Sequence, residues 1–326
     1  MKNPPAFLRM ALFASGTVLG LYACEKEDND PVDTTGDTVV DVRSDYFLSG
    51  GLSEPISVVS RTLSDGSTAD CYKIVTKSIP PDHTQGPWCP TNIADDASLG
   101  GIWLEGGAVY DVDGAFIQNL ATFYNDNTWQ MYDAATGEIT RTLTQADCQA
   151  AANPNVGVAY KNFCVECLPS YVSTLTKTIY IPVTPVKLAT PVSFGAGPGA
   201  TGPTTRGIAF NGVIFDAPAP VNAILGAYTL APFDDAGGHI NLAAGYHYHS
   251  ANGLTTEIDQ PDGHAPMIGY ALDGFGLFAE KSPSGEEYTD LDASRGHYDD
   301  VRGYHYHVDA AGANNFINSL AGAYAN

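Results

Sequence analysis

Positive charge is scarce in this chain: 15 Lys+Arg stand against 37 Asp+Glu over 326 residues, a formal net charge of −22. That balance argues against duplex nucleic acid as a partner, because phosphate binding needs dense Lys and Arg. It argues equally against a polybasic contact with an anionic membrane. Long helices are disfavoured too, since 34 glycines and 21 prolines punctuate the chain with turns. The apolar run at residues 10–21 is too short to cross a bilayer as a helix. What is present suffices for a core: 44% of residues are hydrophobic and only 16% charged, which excludes wholesale disorder.

Lys2 and Arg9 precede that apolar run, and together they read as a secretory signal peptide at residues 1–23. The run ends in Leu21-Tyr22-Ala23-Cys24, which resembles the lipobox of bacterial lipoproteins. The resemblance implies that Cys24 is lipidated, becomes the first mature residue and attaches the protein to a membrane. An ordinary signal peptide followed by an unrelated cysteine is the alternative. Glu25-Lys26-Glu27-Asp28-Asn29-Asp30 resembles the tether that carries lipoproteins to the cell surface. Residues 24–40 are therefore expected to form an acidic, disordered stalk, on an exported outer-membrane or cell-surface lipoprotein.

Outside the cytoplasm the five remaining cysteines default to disulfides, of which five allow two at most. The expected pairs are Cys71 with Cys89, and Cys148 with Cys164 or Cys167. Cys164-Val165-Glu166-Cys167 has the spacing of a redox or metal motif. It lacks a βαβ setting and a second CxxC, so bridging is the expected role.

Strand signals dominate residues 41–195, an N-terminal β-rich lobe. Residues 108–117 carry an Asp113-Gly114 turn between apolar flanks and predict a hairpin. Residues 128–143 predict another around Thr136-Gly137. Residues 176–186 read as an edge strand broken by Pro182 and Pro185. One short helix is predicted, at 144–151. The Gly/Pro stretch at 195–202 then marks a boundary, with a second lobe over residues 196–326.

That second lobe contains an internal repeat. Residues 233–249 and 291–307 share eight identities in seventeen positions without a gap, where chance gives about one. Shared are Asp234/Asp292, Gly238/Gly296, His239/His297 and the five-residue runs Gly245-Tyr246-His247-Tyr248-His249 and Gly303-Tyr304-His305-Tyr306-His307. Asn211-Gly212 and Asp273-Gly274, each between apolar runs, precede the two copies and predict type I′ hairpins. The fold expected is mainly β, with internally duplicated hairpin and strand units related by a pseudo-two-fold, and short helices only.

Seven of the eight histidines lie between His239 and His307. Alternate residues of a strand share a face, so His247 and His249 point the same way, with Cα atoms roughly 7 Å apart. His305 and His307 repeat the arrangement, and the intervening tyrosines take the other face. Two imidazoles so placed can converge on one ion. His239 and His297, each after a glycine that permits a tight turn, are candidates for a third ligand per half, and Asp234 and Asp292 are candidate acceptors that fix imidazole tautomers. All-imidazole ligation points to Cu²⁺ or Zn²⁺ rather than a hard cation. Met267 is a candidate soft ligand, although a core position suits it better. Two metal-free readings stand beside this one: buried His and Tyr that bond each other, and a His-based acid/base site. A cupin barrel is disfavoured, because no Glu follows His247-Tyr248-His249 at the required distance.

The two Gly-Tyr-His-Tyr-His runs, Gly237-Gly238-His239, the segment from His264-Ala265-Pro266-Met267 to Asp273-Gly274-Phe275, and Leu291-Asp292 with Gly296-His297 together resemble the YHYH domain family over about residues 205–308. Ile79-Pro80-Pro81-Asp82-His83 resembles a family entry segment. Membership implies a shared site but names no reaction. His264 fits the family motif and has no counterpart in the first half. It is either an asymmetric ligand or catalytic group, or a residue that caps a turn. His83 in its Pro-rich turn reads as an exposed histidine.

The expected function is metal binding by His239, His247, His249, His264, His297, His305 and His307 in an extracellular protein, with oxidative chemistry on a small molecule or polymer left open. A module that binds glycans or another surface polymer, with exposed Tyr and Trp (Trp88, Trp103, Trp129) as stacking platforms, is the second reading, and a metal-dependent hydrolase the third. No GxSxG nucleophile motif occurs and no carboxylate is identifiable as a base. The sequence therefore assigns no catalytic residue and leaves open whether this is an enzyme.

Overall fold

The computed structural model describes residues 37–152, 156–195, 202–253 and 255–325. The expected signal peptide, Cys24 and the tether up to residue 36 lie outside the described residues. Among those described, seventeen strands accompany three short α-helices, so the chain is mainly β as expected.

Eight strands in the C-terminal half build the central sheet. In chain order they are β1 (Gly207–Ala209), β2 (Ile214–Phe215), β3 (Gly238–Asn241), β4 (Gly245–Tyr248), β5 (Met267–Ala271), β6 (Gly276–Phe278), β7 (Gly296–Asp299) and β8 (Gly303–His307). Their order across the sheet is β3-β4-β2-β1-β5-β6-β8-β7. Exchanging the first four strands for the last four leaves that order unchanged. The register repeats as well: β3 pairs with β4 through His239 and His247, and β7 with β8 through His297 and His305. β4 runs parallel to β2 with Tyr248 beside Phe215, and β8 parallel to β6 with Tyr306 beside Leu277. The halves meet where β1 and β5 pair antiparallel, Ile208 opposite Tyr270.

The Asn-Gly and Asp-Gly hairpins form, with a different turn from the one expected. The Gly212 and Gly274 amides bond back to Ala209 and Ala271, three residues earlier. Only the glycines have positive φ, +86° and +90°. This is a type I turn closed by a left-handed glycine, which leaves Asn211 and Asp273 in ordinary conformations. Their side chains are thereby free to reach under the sheet.

A three-stranded sheet of Ser57–Thr62, Thr68–Lys77 and Thr176–Pro182 shares one apolar core with the central sheet, through Ile74, Ile179 and Ile181. Lys187–Ser193 pairs with Ser319–Gly322, so the chain end returns to the middle of the sequence. Asp37–Asn326 is accordingly one compact unit.

A second core surrounds Trp103, Trp129 and Phe233. Here the hairpin expected at 108–117 is displaced: Ile102–Glu105 pairs with Ala108–Asp111, and Asp113-Gly114 begins the helix Gly114–Phe123. The Asp113 carboxylate accepts from the Phe116 amide at 2.6 Å, so the residue read as a turn is an N-cap. Ile117 and Leu120, three apart, bury the helix face. The helix predicted at 144–151 is present as Gln145–Ala151, opened by a capping box between Thr144 and Asp147. The short helix Val221–Gly226 had no expectation. At 128–143 the turn is present, but the hairpin reduces to a single bridge between Tyr132 and Ile139.

The disulfides are Cys89–Cys164 and Cys148–Cys167. The second agrees with expectation; the pair Cys71–Cys89 does not form. Cys71 is a free, buried thiol on the face of Thr68–Lys77 opposite Ile74, packed with Leu63 and Ala323, whereas Cys89 belongs to the core around Trp103.

Candidate metal centres

Each half aims its imidazoles at a single point. The β3–β4 hairpin brings His239 directly opposite His247, and His249 follows two residues along on the same face. His239 and His297 sit in strands, each just after a turn in which the Gly237 or Arg295 amide bonds back to the Asp234 or Asp292 carbonyl. The reversals between the paired strands lie at residues 242–244 and 300–302, where Asn241 Oδ1 accepts from Ala243 and Ala244 amides and Asp299 Oδ1 from Val301 and Arg302 amides.

Two clusters result, within each of which the ligand atoms all lie within 4.8 Å of one another: His239, His247 and His249 in one, and His264, His297, His305 and His307 in the other. His264 joins the second cluster from the segment entering β5. All seven predicted histidines are gathered, into two centres rather than one. Met267 joins neither and packs in the core.

The hydrogen bonds fix the protons. His247 Nδ1 lies 2.9 Å from the Gly245 carbonyl, and His249 Nδ1 2.6 Å from that of Ala217. In the second centre the Nδ1 atoms of His264, His305 and His307 face the carbonyls of Ala265, Gly303 and Ala279 at 3.0, 2.9 and 2.8 Å. His297 Nδ1 faces the Asp290 carboxylate at 2.9 Å. Carbonyls and carboxylates only accept, so these Nδ1 atoms carry the hydrogen. Burial, the largest effect, holds His305 down to about 4 and His307 to about 3, and lowers His239, His247, His249 and His264. Neutral rings with the hydrogen on Nδ1 present a bare lone pair at Nε2.

Those lone pairs face one another. Nε2 of His297 is 2.9 Å from that of His305 and 3.2 Å from that of His307; His264 and His305 stand at 3.1 Å. His249 and His239 repeat the 3.2 Å spacing in the first centre. The Nδ1–H tautomers of His264, His305 and His307 direct three Nε2 lone pairs at one point, where a cation can be shared. Nitrogens at about 2.05 Å from a tetrahedral zinc ion stand about 3.3 Å apart, close to the spacing found. The residues fit a transition-metal ion.

The tyrosines occupy the reverse face and lock the strands. Tyr248 receives the Asn211 amide at 2.8 Å, and Tyr306 donates to Asp273 at 2.6 Å, so the two hairpin turns anchor equivalent hydroxyls. Asp234 and Asp292 also work on this face, and not on imidazole: they accept from Tyr246 and Tyr304 at 2.7 and 2.8 Å. Their expected role passes to backbone carbonyls and Asp290. The strand alternation explains this, because Asp234 and Asp292 approach from the side to which tyrosine points. Gly238 and Gly296 make room: a Cβ would meet the Tyr246 or Tyr304 hydroxyl at 2.6 or 2.3 Å.

His83, set aside from sequence, is part of this layer. Its Nδ1 bonds Asp82 at 2.8 Å, its Nε2 meets the Tyr246 hydroxyl at 3.1 Å, and its ring stacks on Tyr248. Asp82 is held well below the usual carboxylate range by bonds from His83, Thr256 and Asn211, which outweigh its burial. The entry-segment resemblance was the available signal for both residues.

A cavity of about 220 Å³ opens beside the first centre, lined by His239, His247 and His249 together with Trp88, Glu166 and Ile224 among others. Trp88, Trp103 and Trp129 are all buried. None of these three is a surface stacking platform. Glu166, between the two bridged cysteines, was not singled out as a site residue.

A β sheet carrying two buried polyhistidine clusters defines a protein equipped to hold metal ions. Residues 178–289 match the family model described as YHYH protein, and the chain carries a YHYH domain. The matched span contains His239, His247, His249 and His264 and ends before His297. No curated protein and no solved structure matches the chain.

Proposed function

We propose that this is an exported protein that binds two transition-metal ions, Cu²⁺ or Zn²⁺, one in each polyhistidine centre, and that it is anchored at the cell surface through lipidated Cys24. The metal reading rests on one observation above all: the four Nε2 atoms of the second centre converge, with neighbouring nitrogens 2.9–3.2 Å apart, while each Nδ1 faces a carbonyl or carboxylate acceptor. Softness of the donor set supports copper or zinc, since imidazole suits both and no carboxylate stands among the candidate ligands. Two disulfides fit an oxidising compartment. Among the described residues no helix is long and apolar enough to cross a membrane, and the anchor proposed is the lipid.

Bound copper would supply one-electron chemistry and bound zinc a Lewis acid. The chain's own contribution is to hold neutral imidazoles, through carbonyls that fix each ring, in a site from which bulk water is largely excluded. Growth on each metal followed by elemental analysis of the purified protein tests this. Two equivalents are expected, falling to one in the double variant His305→Ala/His307→Ala; equal content in protein and variant would overturn the assignment.

A further inference from the structure

We infer that the cavity beside His239, His247 and His249 is a ligand site, taking a small neutral molecule with an apolar body and one nitrogen or oxygen donor aimed at that centre. The inference rests on the metal-binding reading and adds to it what one of the two centres is for.

The argument starts from a broken symmetry. The halves share strand order, register and the 3.2 Å contact between equivalent Nε2 atoms. They differ in the fourth ligand. His264 completes the second centre, and among the described residues no fourth His, Cys, Asp or Glu joins the first. A centre with four protein ligands is the structural type, whereas three leave a position for an incoming molecule.

What lies over each centre differs in the same sense. The ring of Tyr288 stacks on His307 at 3.7 Å and its hydroxyl is tied down by the Ala265 amide at 2.9 Å, which covers the four-histidine centre. A second cavity, of about 210 Å³, reaches His305 alone of those four. The 220 Å³ cavity, by contrast, touches all three histidines of the first centre. Since about 150 Å³ takes a benzene-sized guest, this volume suits one substituted ring.

Its walls select the chemistry. Trp88, Ile224, Pro232 and Ile240 make most of the lining apolar and disfavour a charged guest. Glu166 lies in the same wall. Its carboxylate pairs with Arg141 at 2.7 Å, and its main chain is held by Thr142 on both sides. Bridges from Cys164 to Cys89 and from Cys167 to Cys148 flank it and make this wall rigid. The CxxC segment thus builds the cavity.

The test uses the full chain loaded with Cu²⁺, with 4-methylimidazole as the probe and electron paramagnetic resonance and copper content as readouts. We expect one of two copper signals to shift, saturating at one probe per chain, with both coppers retained. The shifting signal should be the one absent from His249→Ala. Acetate should leave it unmoved. Ile224→Trp and, independently, Ala223→Phe fill the cavity and should abolish the shift at unchanged copper content. Two retained coppers with no shift, with equal shifts, with an equal response to acetate, or with the filled variants responding like the parent, would overturn this inference and leave the metal reading standing. No stoichiometric copper at either centre would overturn both.

Discussion

His297 and His305 face each other across the β7–β8 hairpin with their Nε2 atoms 2.9 Å apart, while their Nδ1 atoms face the Asp290 carboxylate and the Gly303 carbonyl. Both atoms point into the same four-histidine cluster, an arrangement that suits a shared cation. With ions bound as proposed, folding and metal loading are coupled, because a ligand that binds only the folded chain stabilises it.

Metal removal follows directly. At a free concentration a hundredfold above the dissociation constant, each ion adds about 2.7 kcal/mol. Stripping both ions with a strong chelator should lower the melting temperature, and returning Cu²⁺ or Zn²⁺ should restore it. Calorimetry with and without chelator checks this. Identical melting curves would count against the coupling.

His264→Ala should convert the four-histidine centre into a three-histidine one. We expect its metal affinity to fall at least tenfold, about 1.4 kcal/mol, while the first centre is unchanged. Competition against a chromogenic chelator, read as two separable steps, measures both affinities in one titration.

Tyr306→Phe probes the reverse face. The hydroxyl donates to Asp273 and accepts from the Ala321 amide at 2.6 Å, all within the core. Its removal leaves two buried groups short of a partner, at a cost of about 1–3 kcal/mol, measurable by urea unfolding. Metal content should stay at two, since the ring, and not the hydroxyl, supports the histidine face.

Asp273 gives a pH signature. Burial raises its carboxyl from 3.8 to about 6, against bonds from Tyr306, Gly322 and Phe275 that favour the charged form. The folded chain thus holds this proton more tightly than the unfolded one. The resulting stabilisation is complete below about 3.8 and is lost as pH rises through about 6, a fall of up to about 3 kcal/mol. Asp273→Asn should flatten the stability profile between pH 4 and 6 relative to the parent, whatever it does to the overall level. Denaturant titrations of both proteins across that range provide the comparison.

Much of the site was legible because strand periodicity is local. The alternation in Tyr246-His247-Tyr248-His249 alone places two imidazoles on one face, and its recurrence at Tyr304 marks a second such strand. The cross-strand partners were harder. Pairing His239 with His247 depends on a reversal at residues 242–244 whose sequence, Leu-Ala-Ala, carries no turn signal. The role of Asp234 depends on which face it approaches, a tertiary fact. The bridge between Cys89 and Cys164 spans 75 residues, beyond the reach of spacing arguments. At Asp113-Gly114 two local rules compete: the pair suits a tight turn, and it equally suits a helix N-terminus. Burial of Ile117 and Leu120 against Trp103 settles the competition. Glu166 was concealed by its cysteine neighbours, whose spacing drew the reading toward sulfur chemistry.

The most direct test counts ions in the protein as purified. Inductively coupled plasma mass spectrometry on the parent, His247→Ala and the double variant His305→Ala/His307→Ala should return two, one and one equivalents of copper or zinc per chain. A metal-free parent, or a parent and variants with the same content, would contradict the account.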